Sequence, residues 1–142
     1  MTFLGKIFNR KPELTPCQRV RGIIKIFDNA SMTGLLDPKL MEGTNHIKAY
    51  LLYMFGAVDM ISQVNKLSSK ETLEVFESML QNEISNQTPD SAKGLARMVI
   101  SESATQAGQT LMQEGGNALK YWIQGVTLAP HRLQEILSTI KE

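Results

Sequence analysis

Apolar side chains recur along this chain every three or four positions and seldom alternate, the spacing of helices that turn one face inward. The broadest case is residues 45–65, where Ile47, Tyr50, Leu51, Met54, Phe55, Val58, Ile61 and Ser62 share one stripe, widened by Leu52 and Tyr53. An arc this wide predicts a central helix covered on more than one side.

Local stop and start signals frame further helices. Thr15 can cap a helix with Pro16 at its first position, and Val20, Ile23, Ile24 and Phe27 carry it to about Ala30. Gly34 closes that region, Asp37 and Pro38 start a short turn through Met41, Gly43 breaks it, and Thr44 or Asn45 can cap the central helix. Ser68 and Glu71 form a capping-box pattern for a helix to about Ile84, with Leu73, Phe76, Met79 and Leu80 inside. Thr88, Pro89 and Asp90 open another through Leu95, Met98 and Val99. Its periodicity continues through Ala104, Ala107, Leu111 and Met112 to Gly115 and Gly116, which are expected to end or bend it. Ala118, Leu119, Trp122 and Ile123 resume the pattern before Gly125, and Pro130 opens a last helix with Leu133, Ile136, Leu137 and Ile140. Asn-Gly and Asp-Gly hairpin pairs do not occur. The expected fold is all-α: a bundle of six or seven helices over 12–142, preceded by a basic amphipathic segment over 1–11 with Phe3, Leu4, Ile7 and Phe8 on one face.

At 142 residues the chain is long enough to close one hydrophobic core. Cys17 is its one cysteine, so neither an intramolecular disulfide nor a thiolate cluster for zinc is expected. The longest apolar run, 49–58, is about half of the ~20 residues needed to span a bilayer, and Lys6 and Arg10 interrupt any secretory h-region. A cytoplasmic protein is expected. Residues 1–30 carry six Lys or Arg against two acidic residues, whereas the remainder carries nine against twelve. The basic part suits an acidic surface, lipid, nucleic acid or protein, without forming a dense basic run.

Side chains capable of chemistry are scattered. His46 and His131 lie in the opening turns of helices and neither belongs to a recognisable i+3 or i+4 ligand pattern, so structural or solvent-facing roles are expected. Cys17 sits in a first helical turn, which in principle lowers a thiol pKa, but no partner accompanies it, and a buried or half-buried spacer is expected. Gly108, Gly115 and Gly116 match no phosphate-cradling pattern, and Glu71, Glu74 and Glu77 read as a solvated helix face. Asp59 follows the most apolar run; either Arg97 or Lys120 pairs with it in the core, or it is a ligand-binding carboxylate. No catalytic, cofactor or metal residue is assigned, and no cofactor is expected.

Interaction is therefore the leading reading. The small residues at 101, 104, 107 and 108 suit close helix packing, or else a polar-lined groove that takes a partner's peptide, with Gln106 and Gln109 as hydrogen-bonding groups. Eight methionines would suit such an adaptable surface, or simply fill the core. The expectation is a non-enzymatic adaptor that holds a protein partner, or a second copy of itself through the Trp122 and Ile123 region. Next comes a peripheral protein recruited to an anionic membrane surface by Phe3, Leu4, Ile7 and Phe8, which could instead dock on the bundle or meet a protein partner. Nucleic acid ranks third despite Arg19, Arg21 and Lys25, because no basic recognition helix is present.

Overall fold

The computed structural model describes residues 14–35, 37–84 and 89–141, and those residues form six α-helices and two short 3-10 turns, with no strand among them. The fold is an all-α helical bundle. The segment 1–11 and Thr88 lie outside the described residues.

α1 is Pro16–Thr33. It starts where the local chemistry says it should: Gln18 N–H donates to Thr15 Oγ1 at 3.2 Å, Thr15 N–H donates to Gln18 Oε1 at 2.9 Å, and Pro16 needs no partner. The turn Pro38–Met41 follows, its start held by Lys39 N–H donating to Asp37 Oδ1 at 3.0 Å. α2 is Thr44–Val64 and α3 is Ser69–Met79, opened by reciprocal hydrogen bonds between Ser68 and Glu71 and continued as a π-helical stretch, Leu80–Ile84. α4 is Pro89–Ser103, α5 is Gln106–Ile123, and the turn Ala129–His131 leads into α6, Arg132–Thr139.

α2 is the centre, as its broad apolar arc requires. Leu51, Leu52, Tyr53, Met54, Ala57 and Val58 are all buried, and α1, α3, α4, α5 and α6 all pack against it. One expected stripe member differs: Ile47 is partly exposed, and His46 turns inward in its place, with Nε2 3.0 Å from the carbonyl oxygen of Ile140. Nor does Thr44 or Asn45 cap α2. The N-cap is Gly43, which offers no side chain, while Asn45 Nδ2 donates to the carbonyl of Lys141 at 3.0 Å.

The largest departures concern α4 and α5. Their periodicity reads as continuous, but the helix stops at Ser103 and restarts after Thr105, whose Oγ1 accepts from Gly108 N–H at 3.0 Å. The small residues at 101, 104, 107 and 108 therefore straddle a turn, and of the four only Gly108 is buried. Conversely, Gly115 and Gly116 do not end a helix; α5 continues through them without a break. A Cβ on Gly115 would lie 1.8 Å from the carbonyl oxygen of Tyr53, and one on Gly56 of α2 would lie 2.0 Å from that of Met112. Both glycines are needed because α2 and α5 approach to backbone contact, making this the most extensive seam in the molecule.

Candidate functional site

A polar pair and an aromatic layer meet inside the bundle. Asp28 of α1 is 5% exposed and accepts a hydrogen bond of 2.5 Å from the hydroxyl of Tyr50 on α2. Burial raises its carboxyl to about 6, and the tyrosine bond offsets part of that rise. Tyr50 is pushed far upward in turn, by burial and then by the neighbouring carboxylate. Next to this pair, Tyr53 stacks on Phe27 at 6.1 Å, and Phe27 meets Trp122 of α5 at 5.6 Å. Trp122 is half-buried and forms part of this aromatic layer, which fixes the C-terminal end of α5 against α1 and α2.

That anchored end carries the most apolar exposed surface. Beyond Ile123 the chain turns at Gly125, whose φ of +101° suits a residue without a Cβ, and it returns toward α6 through the turn Ala129–His131. Tyr121, Val126 and Leu128 remain 52%, 50% and 67% exposed and line a concavity of about 340 Å³ floored by Ala118 and Ala129. Its charged wall is Arg132, which donates to both oxygens of Glu114 (Nε to Oε2 2.9 Å, Nη2 to Oε1 3.2 Å) and from Nη1 to Glu135 Oε2 at 2.6 Å. The guanidinium hydrogen bonds hold Glu114 below its usual range. An exposed apolar cluster beside an ordered arginine has the composition of a protein-binding hot spot.

A second groove, of about 390 Å³, lies across Asn117 on the other flank of α5. Gly56, Met60, Met112 and Gly116 make its floor, and the side-chain amides of Gln63, Gln109, Gln113 and Asn117 rise along it. Asp59 and Lys120 stand on its α2 and α5 walls. Asp59 is not drawn into the core. It is partly exposed, accepts from Gln63 Nε2 at 2.9 Å, and forms no ion pair with Arg97 or Lys120 among the described residues.

The residues singled out by sequence are thus dispersed. Gln109 lines the amide groove, Gln106 is exposed in the first turn of α5 outside it, Trp122 packs against Phe27, and Phe3, Leu4, Ile7 and Phe8 lie outside the described residues. Cys17 is half-buried: burial first, then the carboxylates of Glu71 and Glu74, raise its thiol, which donates to Glu71 Oε2 at 3.9 Å. His131 is exposed, its ring against Gly34. Sequence reasoning passed over Asp28, Tyr121, Val126, Leu128, Gln113 and Asn117. The one available signal was the i, i+4 spacing of Gln109, Gln113 and Asn117. Among the described residues, no helix is long and apolar enough to cross a membrane, and no three His, Cys, Asp or Glu side chains gather as a metal set. Compared with family models, curated proteins and solved structures, the chain matches none.

Proposed function

We propose that this protein is a non-enzymatic interaction module of the cytoplasm that holds a protein partner on the outer face of α5 and the turn that follows it. The observation that carries the reading is the cluster of Tyr121, Val126 and Leu128 around a concavity walled by Arg132. Large apolar side chains left in water together cost free energy that a partner's surface would recover, and tyrosine and arginine are the residues that most often concentrate binding energy. Trp122, next to Tyr121 in the chain, packs on Phe27 of α1 and holds the C-terminal end of α5 in place, so little order has to be created there on binding.

The test is affinity capture from the native cell with the intact chain and a Tyr121→Glu, Leu128→Glu double variant, after circular dichroism has confirmed equal helicity. One stoichiometric protein held by the intact chain and lost by the variant is the expected result. Equal recovery by both would remove the basis of the proposal. A second copy of the chain as the partner would appear as a dimer in sedimentation of the purified protein.

A second reading rests on the six Lys or Arg against two acidic residues over 1–30, among them Arg19 and Lys25, exposed on α1: recruitment to anionic lipid. Cosedimentation with phosphatidylserine vesicles that is lost on Phe3→Glu, Ile7→Glu substitution would favour it over the first.

A further inference from the structure

From the amide groove between α2 and α5 we infer that the partner is bound there as an extended segment of about five residues, carrying one basic side chain for Asp59 and one acidic side chain for Lys120. This rests on the interaction-module reading and deepens it. Gln109, Gln113 and Asn117 follow one another at intervals of four residues on one helix, so their amides repeat every ~6 Å along α5. Backbone groups on one edge of an extended chain repeat every second residue, at ~6.6 Å. The two spacings stay in step over two repeats, about five residues of peptide. Each side-chain amide offers both a donor and an acceptor, which is what the N–H and C=O groups along such an edge require.

The remaining features fit the same occupant. Gly56 and Gly116 leave the floor flat enough for a main chain to come close, and Met60 and Met112 adapt to whatever short side chains face them. The groove's two charges are opposite in sign and on opposite walls. Asp59 is engaged by Gln63 alone, and Lys120 enters no ion pair among the described residues. A uniformly charged ligand would meet repulsion on one wall, and an apolar helix would leave the amides desolvated without partners. A mixed-charge extended segment satisfies both walls and the ridge between them.

The probe is a displayed library of random heptapeptides, selected against the full chain and against Asp59→Lys and Lys120→Glu variants whose melting temperatures match the parent. The expected outcome for the parent is enrichment of peptides with one Lys or Arg and one Asp or Glu at a fixed separation. Each single charge reversal should weaken those peptides about tenfold and exchange the corresponding charge in newly enriched ones. Absence of enrichment, enrichment of apolar helical sequences, or a consensus indifferent to both reversals would overturn the inference. Gln113→Ala, which leaves both charges in place, should also lower affinity; unchanged binding by it would count against the hydrogen-bonding ladder. Partner capture that survives the groove variants but fails with Tyr121→Glu, Leu128→Glu would leave the module reading standing and remove the groove alone.

Discussion

α2 meets its two principal neighbours by opposite means. Against α5 it presents Gly56 and the carbonyl of Tyr53, and the seam works because side chains are missing. Against α1 it presents Tyr50, whose hydroxyl donates to a buried carboxylate. The first contact is steric and indifferent to pH, and no other residue type fits it. The second is electrostatic and titratable: it stays buried because the two helices are held together elsewhere, by Val20, Ile24 and Phe27. One helix therefore carries a seam that sets geometry and a seam that sets how stability responds to solution conditions.

The most severe way to break this contrast is a single methyl group. Gly115→Ala should cost about 3 kcal/mol or more in urea unfolding, because the helices must separate to relieve a Cβ-to-oxygen approach of 1.8 Å. Gly116→Ala, one residue along, finds its nearest neighbours at 3.4 Å and should change stability by less than about 1 kcal/mol, since helix propensity favours alanine. Equal losses at the two positions would refute the backbone-contact account.

The electrostatic seam is probed by pH. The unfolded carboxyl of Asp28 ionises near its ordinary 3.8 and the folded one at about 6, so between these values the folded state retains a proton that the unfolded chain has released. Its contribution is greatest below the lower value and is lost as pH rises through the upper one, by about 3 kcal/mol in total. Thermal melts from pH 4 to 8 should show this decline, and Asp28→Asn should flatten it. Smaller effects follow at the helix starts, where Thr15→Ala and Ser68→Ala should each cost about 1 kcal/mol in chemical unfolding. At the bottom of the scale, Leu128→Glu on the exposed cluster should shift stability by less than about 0.5 kcal/mol while affecting capture of a partner. That separation of binding from stability would distinguish the outer face of α5 from its inner one.

What could be read from the sequence is what is decided locally. Thr15 with Pro16, Asp37 with Pro38 and Ser68 with Glu71 announce their helices because the cap is made by residues three apart or fewer. The central helix is legible because its apolar arc repeats over five turns. Gly115 and Gly116 mislead because a glycine that ends a helix and one that admits a neighbouring backbone look identical until the neighbour is known. The break after Ser103 is hidden because Thr105 interrupts the chain without interrupting the spacing of small and apolar residues. Asp28 reads as one acid in a basic segment, since its burial depends on Tyr50, 22 positions away. The apolar cluster escapes for a different reason: Val126 and Leu128 lie in a turn, where no periodicity exists to set them apart from core residues.

The glycine seam also bears on the order in which the molecule assembles. Gly56 and Gly115 lie about sixty residues apart in the chain, and α3 and α4 lie in the excursion between them. Joining them closes a long loop, at an entropic cost that must be met before the contact stabilises anything. A seam that tolerates no added atom gives no partial reward for near misses, so its formation is all-or-none. The amide ridge on the far side of α5 depends on that closure: the groove between α2 and α5 comes into being only when this long loop has been closed.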